Sequence, residues 1–364
     1  MKPLFYTIGL IACSFSALAQ VGIGTGTPKA FLNVPAGKTV LFGEDTLGAG
    51  TKLIWYANKG AFRAGSISGP QWNDANVGIN SFSVGKNTLA IGSSSVAIGE
   101  NASASGTQSF AIGFSAIAGN DNAVAIGTGS SVAGMGSIAI GNSQARGAYA
   151  VAIGLQNRVI ANYSLALGSN ARANKQGSCV IGDGAYLYEA DSVYSTAMNQ
   201  MTMRFSGGYH LFTSGGPQAQ AVGVQILPGG NAWQTISDST RKEHFRPVNG
   251  AAFLDKIRQL RLGSWNYKGQ DSKQYRHYGP MAQDFFAAFG KDELGTIGED
   301  KSINQADFDG VNLIAIQALL AKIERLETMN QALQQENASL QQETASLKSD
   351  VDWIKKQLGG IVKK

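Results

Sequence analysis

Ile-Gly or Leu-Gly pairs recur through the middle of this chain, ending at Gly92, Gly99, Gly113, Gly127, Gly141, Gly154, Gly168 and Gly182. The intervals are 7, 14, 14, 14, 13, 14 and 14 residues, with half-way glycines at Gly106, Gly134 and Gly147. A fixed period of this kind means stacked copies of one small unit. Each half-repeat alternates small and apolar residues, as in Val96 and Ile98 or Ile138 and Ile140, which is strand periodicity. Glycine permits the φ > 0 turns of a tight coil. One strand per half-repeat, with a turn at each glycine, predicts a parallel β-solenoid over residues 81–182. Ala, Val and Ile are expected to point inward. With few aromatics to fill it, so thin a coil gains stability by packing against copies of itself. A disordered Gly/Ser tract would not carry an aliphatic residue at every period.

What the repeats lack narrows their chemistry. They hold no Gly-Gly-x-Gly-x-Asp ladder for Ca²⁺ and no acid pair for cutting sugars. No metal site and no cofactor is expected anywhere in the chain. Arg146, Arg158 and Arg172 recur about one repeat apart. They read either as a solubility stripe or as a face for an anionic glycan or matrix ligand. The Ser95-Val96-Ala97-Ile98-Gly99 motif and its copies resemble the head of trimeric autotransporter adhesins of the YadA type. That resemblance implies a left-handed β-roll and a homotrimer.

Residues 1–19 read as a secretory signal peptide: Lys2, a short apolar run from Leu4 to Phe15, and Ala17-Leu18-Ala19 before Gln20. The expected location is therefore secreted or cell-surface. No other run is long enough for a membrane helix, so no integral anchor is expected. A net charge of +5 is modest, and with a signal peptide it argues against nucleic acid as a partner. Cys13 leaves with the signal, so Cys179 remains alone and is expected as a small buried hydrophobe. Residues 20–80 suggest short strands around Leu53, Trp55, Phe62 and Ala64. Residues 183–236 read as a β connector, with a strand at 201–205 and a hairpin return at 207–212.

At Ser237 the charge density changes. Residues 1–236 hold 12 Lys/Arg and 8 Asp/Glu; residues 237–364 hold 18 and 17. The new regime opens with Ser237-Asp238-Ser239-Thr240-Arg241-Lys242. A serine hydroxyl becomes a nucleophile when something takes its proton, and a lysine amine can do so where burial lowers its pKa. Five residues apart, Ser237 and Lys242 share neither a helical nor a strand face, so a turn must join them. On spacing alone a solvated loop explains the pair equally well. Ser239-x-x-Lys242 also makes a penicillin-binding pattern, but its companion motifs are missing.

Further motifs follow: Trp265-Asn266-Tyr267, then His277, then Gly279-Pro280-Met281-Ala282-Gln283. With the Ser-Asp-x-x-x-Lys start, they resemble the C-terminal intramolecular chaperone of phage endosialidases, tail spikes and tail fibres, a self-cleaving serine peptidase family. The version fused to secreted, glycine-rich proteins of Bacteroidetes type is the most similar. The resemblance covers about residues 237–325. It implies a scissile Ile236–Ser237 bond, Ser237 as nucleophile, Lys242 as its base and Asp238 in an orienting role. His277 matches a site-proximal His of no assigned role. The family has an apolar residue before the Lys, where this chain has Arg241. A second cation could lower the pKa of Lys242, or mark a domain that trimerises without cutting.

From Ile316 a 3, 4 pattern runs through Leu319, Ile323, Leu326, Asn330, Leu333, Asn337, Leu340, Thr344, Leu347, Val351, Ile354 and Leu358. This is a coiled coil of about six heptads, expected to close at Gly359-Gly360. Its polar a layers do not themselves choose three strands; the two resemblances do. The expected fold is mostly β: signal peptide 1–19, N-terminal β region 20–80, head repeats 81–182, connector 183–236, a small α+β chaperone and auto-processing domain 237–310, coiled coil 311–358 and tail 359–364. The expected protein is a secreted homotrimeric fibre whose only enzymatic act is one cut on itself. Its other partner would be a host or matrix glycan or protein.

Overall fold

The computed structural model describes residues 20–184, 191–293 and 295–361. The expected signal peptide lies outside them. Two compact units form. One runs to His210 and takes in Ile226–Ala232; the other comprises Leu211–Gln225 and the chain from Trp233 onward.

The first unit is the solenoid. Its strands form one ladder of 18, in which most coils contribute two strands and Ile138–Ala145 and Val151–Val159 each span both positions. The first strand of each coil builds a front sheet, in parallel register Phe82, Val96, Phe110, Val124, Ile138, Val151, Leu165, Cys179, Met201. The second builds a back sheet, with Ala90, Ala104, Ala118, Val132, Ala145, Val159 and Ala173 in register. The coils continue past residue 182, because Met201–Arg204 pairs with Cys179–Gly182 as a further parallel rung. That strand was expected to lead into a hairpin return. Tyr209–Phe212 instead neighbours Gly223–Ile226 in a separate three-stranded sheet.

The expected orientation of the repeat changes. Small residues fill the interior of the front sheet, alanine at Ala97, Ala111, Ala125, Ala139, Ala152 and Ala166, with Ser83 and Val180 in the same column, all fully buried. Val96 and Ile98 stand on the outside, as do their counterparts in the other coils. Phe82, Phe110, Ile140, Ile153, Met201 and Met203 are all more than a third exposed. A period-2 strand must put its middle residue on the opposite face from its neighbours. The small residue goes in because the space between the sheets is narrow. Cys179 follows the same rule: it lies half-buried on the outer front face rather than in the core.

Buried serines bond the corners of the coil. Ser95 Oγ donates to Gly92 O at 2.7 Å, Ser109 Oγ to Gly106 O at 2.6 Å and Ser137 Oγ to Gly147 O at 2.7 Å. Left-handed non-glycine residues recur twice per coil, at Asn80, Asn87, Ser94, Asn101, Gln108, Ser115 and Asn122. Glycine serves a second need, close approach of stacked coils. At Gly99, φ is +123° and an added Cβ would sit 2.4 Å from Gly113 O. At Gly106 φ is ordinary, yet a Cβ would lie 1.9 Å from Asn120 O.

The N-terminal end of the solenoid is closed by antiparallel strands Val40–Phe42, Gly50–Tyr56 and Ala61–Ile67. The last pairs in parallel with Phe82–Lys86 and starts the stack. Arg63 takes the inward position that Ala97 occupies two rungs on. Its buried guanidinium donates to Ser81 O at 3.1 Å, Ser81 Oγ at 2.8 Å and Ala90 O at 2.9 Å. Burial pulls its pKa down to about 10, which Tyr56 partly opposes. Trp72 covers the same end, its Nε1 donating to Thr88 O at 2.9 Å.

The second unit is built around three helices: α1 (Gly250–Gln259), α2 (Ala282–Phe289) and α3 (Gln305–Ile361). Asn249 caps α1, its Oδ1 accepting from Ala251 N and Ala252 N. Phe253, Phe285, Phe289 and Phe308 form one aromatic cluster. Gly250 lets α1 meet α3, since a Cβ there would lie 2.8 Å from Ala318 Cβ. Arg261 forms a fork to Asp284, Nε to Oδ2 at 3.1 Å and Nη2 to Oδ1 at 2.9 Å. Beyond that core α3 continues alone as part of its 57 residues. It runs through Gly359-Gly360, which were expected to end it. Ile316, Leu319, Ile323, Leu326, Leu333, Leu340 and Leu347 are all roughly half or more exposed. No helix among the described residues is long and apolar enough to cross a membrane.

Candidate active site

The site begins where strand Gln234–Thr235 ends. That strand pairs antiparallel with Gly223–Ile226, Thr235 opposite Val224, which fixes the chain up to Ile236. A 3₁₀ turn follows at once, Ser239–Arg241. Asp238 is its N-cap: Oδ1 accepts from Thr240 N at 2.9 Å and from Thr240 Oγ1 at 2.8 Å. Those two bonds, with Arg241 nearby, lower the Asp238 pKa. The turn closes through Arg241 N to Asp238 O and Lys242 N to Ser239 O.

Folding the chain back in this way brings Lys242 to Ser237. Lys242 Nζ donates to Ser237 Oγ at 2.6 Å. An amine in hydrogen-bond reach of a hydroxyl is the geometry a general base needs. The cleft beside it, of about 310 Å³, is lined by Gln220, Val222, Gly223, Thr235, Ile236, Asp238, Thr240, Arg241 and Lys242. Both members of the dyad are exposed in the single chain, and Ile236 is half-buried.

Arg241, the residue at odds with the resembled family, turns away to donate through Nη2 to Ala221 O. It ties the turn to the loop before Gly223. Thr240 and the Ala221 carbonyl thus help shape the site. Thr240 was legible in Asp238-Ser239-Thr240, since Asp followed two residues later by a hydroxyl residue is a common turn signal. The carbonyl carried no signal in sequence.

His277 lies elsewhere in the unit. Strand His277–Gly279 pairs with Gly263–Trp265, placing His277 opposite Trp265. Its ring stacks on Trp265 at 4.6 Å and meets the edge of Tyr267 at 5.7 Å. Among the described contacts none joins it to Ser237 or Lys242. Trp-x-Tyr and His, read as separate motif elements, form a single aromatic cluster.

Residues 237–292 match the family model for the chaperone of endosialidase. Residues 90–116, 118–143 and 160–185 match that of the YadA head domain repeat. The chain joins a YadA-type head to an endosialidase-type chaperone domain. No curated protein matches it. The chaperone match starts at Ser237, the residue on Lys242, and the head matches fall on the 14-residue coils. No cluster of His, Cys, Asp or Glu able to hold a metal occurs among the described residues.

Proposed function

We propose that this chain is a secreted, homotrimeric, adhesin-like surface fibre whose chaperone domain directs assembly and then cuts itself free at Ile236–Ser237. The domain limits are those of the sequence reading: a β head and connector over 20–236, an auto-processing domain over 237–310 and a coil over 311–358. The hydrogen bond from Lys242 Nζ to Ser237 Oγ, one residue beyond the end of the connector strand and Ile236, carries the reading.

Ser237 lies on the C-terminal side of the bond it attacks. Its Oγ adds to the Ile236 carbonyl carbon while Lys242 takes the hydroxyl proton. The C–N bond then breaks as that proton passes to the Ser237 nitrogen. An ester joins Ile236 to Ser237 Oγ, and water hydrolyses it to an Ile236 carboxylate and a free Ser237. Asp238 positions the turn that holds Lys242 in place.

A lysine amine accepts a proton only when neutral, and removal from water favours the neutral form. The exposed dyad of a single chain lacks that shielding. Neighbouring chains supply it, so the cut follows assembly. The apolar front sheet of the head and the exposed heptad face of α3 are the surfaces on which three copies pack. Once cut, the coil no longer tethers the head, and disassembly becomes slow.

Intact-mass spectrometry of the purified wild-type chain and of Ser237→Ala tests this. The wild type yields a fragment ending at Ile236, and Ser237→Ala remains full length while assembling normally. A wild-type chain that stays whole after prolonged incubation makes the domain a permanent trimerisation clamp instead.

A further inference from the structure

The back sheet of the head carries a charge arrangement that its fold does not require. From Asn122 to Gly182 the sequence contains no Asp or Glu, but it contains Arg146, Arg158, Arg172 and Lys175. Gln144, Arg158, Arg172 and Tyr194 stand in one outward column, each in register with the next. Neighbouring strands lie ~4.8 Å apart. Two arginines therefore leave the same face on adjacent rungs, and like charges directly opposite weaken a sheet. Coils nearer the N-terminus avoid this, with Ser103 and Ser131 in the same column. The ion pairs described in the head are Lys59–Asp74, Lys86–Glu100 and Arg204–Asp183. None involves Arg158, whose Nε is out of solvent and without an acceptor among the described residues.

The surroundings indicate what such a column would take. Arg158, Ile160, Arg172, Lys175 and Tyr194 are among the residues lining a groove of about 690 Å³. Arg172 Nη2 donates to Asn170 Oδ1 at 3.0 Å, which orients that guanidinium. Tyr194 is 54% exposed and Ile160 45% exposed. Guanidinium forks match the geometry of carboxylate and sulfate. A tyrosine ring and an isoleucine beside them offer apolar contact to the C–H face of a sugar ring, which a simple anion would not use.

We propose that this groove binds an anionic polysaccharide bearing carboxylate or sulfate groups. Arg158 and Arg172 share one acid group, Lys175 takes the next, and Tyr194 lies against a sugar ring. The proposal rests on the reading that the front sheet is the self-packing face, which leaves the back sheet to solvent.

Calorimetric titration of the full chain tests it, with polygalacturonate for carboxylate, dextran sulfate for sulfate, plain dextran as the neutral control and single-stranded DNA as a non-sugar polyanion. Arg158→Ser with Arg172→Ser restores the residue of the earlier coils and so keeps the fold. Lys268→Ser with Lys301→Ser removes the same charge from the other unit. At least one acidic polysaccharide should bind, about tenfold or more weaker in the arginine double variant and nearly unchanged in the lysine one. Tyr194→Ala should weaken the sugar further at constant charge. The stronger of the two acidic sugars identifies the acid group.

Absence of binding to both acidic sugars overturns the proposal. So does equal weakening by the two double variants, or DNA bound as tightly as the sugars. Light scattering on the same samples reports the oligomeric state, so a failure of assembly is told apart from an empty groove.

Discussion

The head and the C-terminal unit use apolar residues in opposite ways. In the solenoid nearly every inward position is a fully buried Ala, Val or Ser, and backbone bonds run from coil to coil. Among the described residues of the second unit's helices only Phe285, Phe289 and Ala315 are buried hydrophobics, while the heptad leucines of α3 stand in the open. The head thus closes a core one small side chain deep on each sheet and keeps its larger residues outside. The C-terminal unit leaves most of the apolar heptad residues of α3 exposed. Both surfaces expose apolar residues, those of the head in a continuous sheet on its front face and more sparsely, as at Ile117 and Tyr194, on its back. The helix lacks partners over most of its length.

The largest expected effect tests that asymmetry directly. Removing residues 316–364 deletes the exposed heptads and leaves all the head's internal contacts. If the coil gathers the chains before the slow non-local pairing of the head, truncated protein collects as aggregate. Size-exclusion yield of soluble head reports it. Soluble trimers at normal yield would mean that the front face assembles unaided.

A smaller effect separates close packing from backbone conformation. Gly99 and Gly298 both have positive φ, +123° and +70°. A Cβ at Gly99 would strike Gly113 O at 2.4 Å, while at Gly298 nothing lies within 4 Å. Gly99→Ala should therefore lose about 3 kcal/mol or more, from clash together with strain. Gly298→Ala should lose about 1 kcal/mol, from backbone conformation alone. Thermal denaturation of each variant gives the comparison, and equal losses would remove the packing argument.

The repeat made the solenoid legible, because the 14-residue period and the alternation within it are local properties of the chain. Which side faced inward was not. Ala, Val and Ile were all expected inward, yet in the coil at Val96–Glu100 the middle residue Ala97 takes that face and Val96 and Ile98 the other. The φ > 0 positions were assigned to glycine, and Gly99, Gly113 and Gly127 do hold them, but Asn80, Ser94 and Gln108 share the task. The coils also run on beyond residue 182, through a rung whose Met201 and Met203 lack the Ile-Gly signature. At the site, Ser237 and Lys242 were named from motif resemblance, and the hydrogen bond between them depends on a turn that the Asp238 cap makes legible. The contact of Arg241 with Ala221 depends on a loop twenty residues away, and spacing carries no trace of it.

The smallest expected effect compares two aspartates, one in each region. Asp183 accepts from Ser206 N at 2.6 Å and from Arg204 Nε at 3.0 Å, and its side chain is only 13% exposed. The Ser206 backbone bond first, then Arg204, hold its pKa down at about 2. Asp238 is also lowered, chiefly by the Thr240 amide, but it is fully exposed and orders one local turn. A carboxylate whose folded pKa lies below its unfolded value of ~3.9 contributes stability above that value. The contribution is lost as pH falls from about 5 to about 1, through the folded pKa of about 2. Asp183 joins Gly182 to the last rung, so its protonation should loosen the C-terminal end of the head. Solvent screening at that edge keeps the contribution to about 1 kcal/mol. Asp183→Asn should lower the head's melting temperature at pH 7, and its gap from wild type should close as pH falls to about 1. Asp238→Asn should leave the head's melting unchanged at both values. A gap between Asp183→Asn and wild type that does not shrink as pH falls from 7 to about 1 would mean that the carboxylate charge is not what holds the last rung.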